Sequence, residues 1–250
     1  MRALVVFRYL SFDNVTVGPG ATVSVFADPQ PGTAPGRRLV DMPEDAIVAA
    51  LLGDPRLKEP LLIELGLGPG TLHALKVRRP FVFDSREKPG DIDALLAEQS
   101  APQSAIALET KRIKIRPTKN GDGQRLNNIV ASCTDVEQVN ALAQLGLSRT
   151  YLALLLVVED TARTHISVPL RGMTLPTVER VVDLSVAAPL DEGVGLCLIE
   201  MVQPTSRDFT QCGSVGVAVL RKPRPREQNG YLTNTVQRYF SDGGMQPNRT

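Results

Sequence analysis

The stretch that decides the fold lies in the middle of the chain and reads Asp91-Ile-Asp93-Ala-Leu-Leu96, followed after a polar interval by Ala105-Ile-Ala-Leu-Glu109-Thr-Lys111-Arg-Ile-Lys114-Ile115. Both segments predict strands. Because alternate residues of a strand share a face, Asp91 projects with Asp93, and Glu109 projects with Lys111. If the two strands pair as a hairpin, three carboxylates and one ammonium converge at one edge of a sheet.

The residues that follow predict a helix and then a buried strand. Thr134-Asp-Val-Glu137 is a capping box, which indicates a helix that ends at Gly146. The run from Thr150 to Val158 is almost continuously apolar, as in a central strand buried on both faces. A strand, a helix and a buried strand in this order imply a right-handed βαβ crossover.

Further elements are expected toward the C-terminus. The pattern predicts a helix over residues 175–186 and strands over 195–202 and 214–220, while the polar segment 116–128 predicts a flexible loop. Bases alternate with prolines from Arg221 onward, and the end of the chain is rich in Gly, Pro and Asn. We therefore expect one domain over residues 1–220, followed by a linker and flexible tail over 221–250.

Upstream, residues 2–7 and 22–27 predict an N-terminal β-hairpin. Asp41-Met-Pro-Glu44 resembles a capping box, with Asp41 as the cap of a helix that Gly53 ends. A second amphipathic stretch runs over residues 60–67, and a further strand over 77–83 is weakened by Pro80.

Composition narrows the functional classes. The chain has 250 residues, of which 42% are apolar, enough for the core of one domain, and no apolar run reaches membrane-spanning length. Its cysteines are odd in number and widely spaced, which predicts neither a zinc site nor disulfides and suits the cytoplasm. Aromatic residues are only 4% and the net charge is +1, so any nucleic-acid surface must be a local basic cluster.

The predicted carboxylate cluster has a clear chemical use. Mg²⁺ prefers oxygen ligands and keeps several waters, so two carboxylates suffice to anchor it. The bound cation polarises a phosphoryl oxygen and lowers the pKa of a bound water, and a nearby lysine stabilises developing negative charge. The alternative interpretation is structural, with Glu109 and Lys111 on a solvated strand face and Asp91 and Asp93 as acids of a turn.

The two segments resemble the PD-(D/E)xK nuclease superfamily, through Gly90-Asp-Ile-Asp93 and Glu109-Thr-Lys111. The resemblance covers about residues 41–160. It implies an α/β fold with a restriction-endonuclease-like core, in which a central mixed β-sheet is flanked by helices. The hairpin and the last strands would be additions to that core.

The resemblance also implies roles for individual residues. Asp93 and Glu109 would hold Mg²⁺, or Mn²⁺ in its place, and Lys111 would assist the attacking water. Asp91 would be a helper acid, and Gln138 would support the site from the following helix. Family members often carry an extra acid on an upstream helix, for which Glu44 is the candidate, the alternative being a capping residue.

A basic segment follows the expected site. Besides Lys111 it contains five residues that would attract a phosphate backbone, namely Arg112, Lys114, Arg116, Lys119 and Arg125. The alternative is a solvated loop. Strand alternation places Arg112, Lys114 and Arg116 on the face opposite Lys111.

The expected function is a Mg²⁺-dependent nuclease that prefers DNA and leaves 5′-phosphates. It could be the effector of a multi-subunit defence or restriction system, acting with a partner subunit or as a homodimer and away from membranes. The alternative is a catalytically inactive scaffold or interaction subunit with the same fold.

Overall fold

In the computed structural model, residues 8–12, 15–16, 22–23, 39–77, 91–118, 123–127, 133–160, 172–204 and 213–241 are described. The strands are β1 (Arg8–Phe12), β2 (Val15–Thr16), β3 (Thr22–Val23), β4 (Thr71–Val77), β5 (Ile92–Glu98), β6 (Ala101–Pro117), β7 (Gln124–Asn127), β8 (Arg149–Asp160), β9 (Val194–Pro204) and β10 (Gly213–Arg221). The helices are α1 (Glu44–Gly53), α2 (Pro55–Leu65), α3 (Cys133–Gln144), α4 (Leu175–Val186) and α5 (Gly230–Ser241), preceded by a 3-10 turn at Leu39–Asp41. No helix among these residues is long and apolar enough to cross a membrane.

The strands form an open, mixed sheet in the order β1-β10-β9-β8-β6-β5-β4, and β7 pairs with the end of β6. Strands β4, β5 and β6 make an antiparallel meander. Strands β6, β8 and β9 are parallel, and β10 and β1 close the other side in antiparallel pairs. The predicted α/β class, with a mixed sheet flanked by helices, is therefore confirmed.

Strand β8 is central, as its apolar run predicts. Its residues 151–158 are all buried, and they alternate between two clusters. Tyr151, Ala153 and Leu155 pack with helices α1 and α2, on what we call the α1 face of the sheet. Leu152 and Leu154 pack with α3 and α4, on the α3 face. Burial on both faces explains why this strand reads as continuously hydrophobic.

Helix α5 corrects the expectation for the C-terminal region. Residues 230–241 form a helix, although the sequence analysis assigned them to a linker and flexible tail. Leu232, Val236 and Tyr239 lie on one side of α5 and are buried in a cluster with Ala105 and Ala107 of β6. The spacing of four and three residues is that of an amphipathic helix, a pattern hidden by the polar residues between them.

Strand β7 corrects the expected loop over residues 116–128. Gln124–Asn127 pairs antiparallel with the end of β6, and Leu126 lies opposite Ile115. Both side chains pack on the α3 face. This shared burial stabilises the hairpin, whereas the sequence analysis weighed only the polar residues of the segment.

Several boundaries also differ from the sequence predictions. Helix α4 has the predicted limits, but α2 begins at Pro55 rather than at Pro60, and α3 begins at Cys133, so Thr134 lies inside the helix rather than at its cap. Residues 2–7 and 78–83 lie outside the described residues. Residues 22–23 pair with 15–16, and β1 instead joins the main sheet beside β10.

Candidate active site

Asp93 stands where strands β5 and β6 part. Their register runs from Leu96–Ile106 to Ala94–Leu108, and Asp93 is the next residue of β5. Its Oδ2 accepts the main-chain N–H of Thr110 at 2.8 Å and the hydroxyl of Thr110 at 3.0 Å. The carboxylate thus accepts a main-chain N–H just beyond the last described pair of β5 with β6. This bond fixes the position of the carboxylate at the end of the β5–β6 pairing.

Glu44 reaches the same place from the start of α1. The expected capping box is wrong, because the helix begins at Glu44 itself, and Pro43 occupies the cap position without a side-chain capping bond. Oε2 of Glu44 instead accepts the main-chain N–H of Arg112 at 2.5 Å, and its Oε1 lies 3.4 Å from the hydroxyl of Thr110. Glu44 therefore contacts strand β6 instead of taking part in a capping box at the start of its own helix.

An irregularity in β4 and β5 brings a lysine into this site. Leu75 and Ala94 pack on the α1 face, whereas Val77 and Ile92, two residues further along each strand, pack on the opposite face. Alternation is therefore interrupted at Lys76, which has a φ of 48°. Lys76 and Asp93 lie between the same two register pairs, Leu75–Ala94 and Val77–Ile92.

These residues line one cleft of about 660 Å³, whose polar lining comes from Glu44, Asp45, Lys76, Asp93 and Thr110. Nζ of Lys76 lies 2.6 Å from Oδ2 of Asp45, in an exposed ion pair. The sequence analysis did not single out Lys76 or Thr110. A lysine in a strand carries no signal of its own, and only the left-handed backbone and the register reveal it.

Glu109 and Lys111 are not among the residues that line this cleft, although the charge of Lys111 lowers the pKa of both Glu44 and Asp93. Along β6, Ile106 and Leu108 pack on the α1 face, and Thr110 follows them toward Glu44. Alternation then assigns Glu109 and Lys111 to the α3 face, in line with Ile113 below them. Glu109 is buried there, with 6% of its surface exposed. The expected set is thus divided between the two faces of the sheet.

Burial dominates the electrostatics of the two cleft acids. Burial raises the pKa of Glu44, opposed by the N–H of Arg112, and the negative charge of Asp93 raises it further. Burial also raises the pKa of Asp93, against the two hydrogen bonds from Thr110 and the positive charges of Lys76 and Lys111. The charged forms of both acids are therefore disfavoured, and a bound cation would relieve that penalty.

The supporting residues lie at the edge of the site. Asp91 is exposed and precedes the first residue of β5. Nε2 of Gln138 on α3 donates to the main-chain oxygen of Asp91 at 3.4 Å. The contact of Gln138 is thus with the backbone that leads into β5, rather than with a carboxylate of the cleft.

The basic residues of β6 and β7 form a row on the α1 face, which we call the basic row. It consists of Arg112, Lys114, Arg116 and Arg125, the last lying directly opposite Arg116 and hence on the same face. Burial lowers the pKa of Lys114, and the charges of Arg112 and Arg116 lower it further. Because the cleft opens on this face, the row extends from the cleft along β6. Lys119 lies outside the described residues.

The donor set suits a hard divalent cation. Among the described residues, no group of three or more His, Cys, Asp or Glu side chains is placed to hold a metal. Glu44 and Asp93 supply two carboxylates around one hydroxyl, and Mg²⁺ accepts such a small protein anchor because it retains waters. Comparisons with family models, curated protein sequences and solved structures found no match for this chain.

Proposed function

We propose that this protein is a Mg²⁺-dependent phosphodiesterase that acts on nucleic acid, with DNA preferred, and that its core is restriction-endonuclease-like. The observation that carries the proposal is the approach of Asp93 and Glu44 to the same Thr110 hydroxyl in an open cleft. The element order supports it, since helix α1 precedes strands β5 and β6, and helix α3 and the buried strand β8 follow them, as the resemblance implies.

The chain's own residues would bind and orient the reacting groups. Asp93 and Glu44 would hold the cation, and Thr110 would keep both carboxylates in place through its hydroxyl and, for Asp93, its N–H. The cation would polarise a phosphoryl oxygen and lower the pKa of a bound water. Burial of the two acids supports this assignment because it makes their charged state costly without a counter-ion.

The basic row supports a polyanionic substrate. Successive members on β6 are two residues apart, so their Cα atoms are roughly 6.6 Å apart along the strand. Three cations in line with the cleft would contact consecutive parts of a phosphate backbone, where affinity comes chiefly from charge. A single small phosphate ester would not require so long a row.

A second candidate is a nuclease-like protein that binds nucleic acid without cutting it. On the α1 face, Thr110 and Arg112 stand at the alternate positions where the resemblance expects the acid and the lysine of the motif. The guanidinium of Arg112 donates to the main-chain oxygen of Met42, so it is engaged structurally. This arrangement favours the scaffold reading that the sequence analysis kept as its alternative.

Cleavage of end-labelled single- and double-stranded DNA, with Mg²⁺ or with EDTA, separates the two candidates. The parent is compared with Asp93→Asn, Glu44→Gln and Glu109→Gln. The proposal expects Mg²⁺-dependent products with 5′-phosphates and a loss of about 100-fold or more in the first two variants. Binding without cleavage under all conditions would instead establish the second candidate. Equal cleavage by the parent and Asp93→Asn would overturn the site assignment.

A further inference from the structure

We propose that Lys76 is the phosphate-binding cationic residue of this cleft, where the resemblance had implied a different lysine, Lys111, that assists the attacking water. The inference rests on the proposed function, because it names the residue that meets the substrate beside Glu44 and Asp93. It follows from the place of Lys76 in the fold.

Lys76 lies beside the two acids of the cleft. Lys76 and Asp93 lie between the same two pairs of the β4–β5 register, and both line the cleft with Glu44 and Thr110. Its positive charge acts on Asp93, since each of the two residues shifts the pKa of the other toward its charged form. Lys111 also acts on Asp93, but alternation assigns its side chain to the α3 face.

The main chain at Lys76 has an unusual, left-handed conformation. Lys76 is the one non-glycine residue with a positive φ among the described residues, at 48°. This conformation crowds the Cβ of an L-amino acid and is uncommon outside Gly, Asn and Asp. Strained residues of this kind concentrate at functional sites, where the strain places a side chain that regular geometry would direct elsewhere. Here it interrupts the alternation of β4 and directs the lysine to the cleft.

The ammonium group of Lys76 remains accessible to a phosphate. Its contact with Asp45 is exposed, with 62% of the Lys76 side chain and 48% of the Asp45 side chain accessible. An ammonium has three donors, so an ion pair with one carboxylate oxygen leaves capacity for a phosphate oxygen. Asp45 adjoins Glu44 on α1 and holds the ammonium of Lys76 beside the cleft that both residues line, which makes Asp45 a positioning residue.

Two measurements on the same set of proteins test the inference. The proteins are the parent, Lys76→Met, Lys76→Arg, Lys111→Met and, as a matched control, Lys222→Met, which changes an exposed lysine that follows β10. The measurements are single-turnover cleavage of labelled DNA with Mg²⁺, and calorimetric titration with Mn²⁺ alone. Binding of Mn²⁺ requires no substrate, and it also shows that each variant retains a folded site.

The two readouts should move in opposite directions for Lys76→Met. Cleavage should fall by about 100-fold because a cation that meets the phosphate is lost. Mn²⁺ affinity should rise by roughly 3-fold or more, since a neighbouring positive charge is removed and Asp45 is released. Lys76→Arg should recover cleavage to within about 10-fold of the parent, and the control Lys222→Met should stay within about 5-fold. Lys111→Met should lose less activity than Lys76→Met, because Lys111 acts on the two acids by charge but does not line the cleft.

Each contrary outcome is distinguishable. An active parent with an equally active Lys76→Met variant would overturn the inference and leave the proposed function standing. The same holds if Lys111→Met loses more activity than Lys76→Met. A parent that neither binds Mn²⁺ nor cleaves would overturn the proposed function, and this inference with it.

Discussion

Thr110 donates both its main-chain N–H and its hydroxyl to a single carboxylate oxygen, Oδ2 of Asp93, at 2.8 and 3.0 Å. The same hydroxyl lies 3.4 Å from Oε1 of Glu44. One hydroxyl hydrogen cannot serve two carboxylates fully, so the pair of acids has more acceptor capacity than this donor fills. A divalent cation, as proposed, would supply the positive charge that the hydroxyl cannot.

Removal of that hydroxyl should therefore loosen the site. Thr110→Val keeps the shape of the side chain and leaves the N–H bond to Asp93, but it deletes the shared donor. We expect a loss of about 1 kcal/mol in unfolding free energy by urea titration. We also expect weaker Mn²⁺ binding. Thr110→Ser, which keeps the hydroxyl, should bind Mn²⁺ much as the parent does. Equal binding by the valine variant would show that the hydroxyl does not organise the acids.

The pH dependence of stability should report the buried acids. Because the pKa values of Asp93 and Glu44 are raised by burial, the folded protein holds these protons more tightly than the unfolded chain. Their stabilising contribution is present at low pH and is lost as the pH rises through the raised pKa values. At pH 7 in EDTA, Asp93→Asn and Glu44→Gln should thus melt at a higher temperature than the parent.

That difference should shrink as the pH falls toward the ordinary range of carboxylic acids, where the parent acids become neutral. Thermal melts at several pH values between 4 and 8 provide the measurement. Variants that are less stable than the parent at pH 7 would contradict the expected cost of charge burial.

The left-handed backbone at Lys76 predicts that glycine at this position raises stability while cleavage is lost. Lys76→Gly and Lys76→Met both remove the ammonium, but only glycine adopts a φ of 48° without a steric cost. We expect Lys76→Gly to melt about 2–4 °C above Lys76→Met, while both lose cleavage. Equal melting temperatures would mean that the position carries no strain.

Helix α5 should depend on Gly146. This residue has a φ of 84°, and a Cβ there would lie 2.7 Å from the main-chain nitrogen of Asn229. That nitrogen donates to the carbonyl of Gly146 at 3.0 Å, just before α5 begins. Gly146→Ala should cost roughly 2–4 kcal/mol in unfolding free energy, through strain and displacement of this segment.

Gly53→Ala is the matched control for that substitution. Gly53 is the last residue of α1, and a Cβ there meets nothing within 4 Å. Alanine has the higher helix propensity, so stability should be unchanged or rise by up to about 1 kcal/mol. An equal loss in both variants would contradict the packing of Asn229 on Gly146.

The basic row predicts a charge-dependent, sequence-independent affinity. Lys114→Gln should weaken binding of any DNA and reduce the slope of log affinity against log salt by about 0.9. Fold stability should not suffer, because burial, and then the charges of Arg112 and Arg116, already disfavour the charged form of Lys114. Arg238→Gln, at an exposed position of helix α5, is the control and should leave the slope unchanged. Anisotropy titrations at several salt concentrations distinguish the two.

The sequence predicts those elements that depend on the hydrophobic pattern of their own residues. The limits of α4 and the burial of β8 follow from hydrophobic periodicity, and alternation predicted that Arg112 and Lys111 lie on opposite faces. It could not say on which face α1 would pack, so Glu109 was expected in the cleft. The role of Glu44 stayed open in the sequence, because a carboxylate there could either cap its own helix or accept an N–H from a distant strand, as it does from Arg112. Lys76 was missed because its left-handed φ depends on the pairing of β4 with β5.

The most direct test of the central claim is a calorimetric titration of the substrate-free protein with Mn²⁺ at neutral pH. We predict one binding site in the parent, lost or weakened at least about 10-fold in both Asp93→Asn and Glu44→Gln, and retained in Lys76→Met. No binding by the parent, or unchanged binding in the Asp93 and Glu44 variants, would contradict a cation site in this cleft.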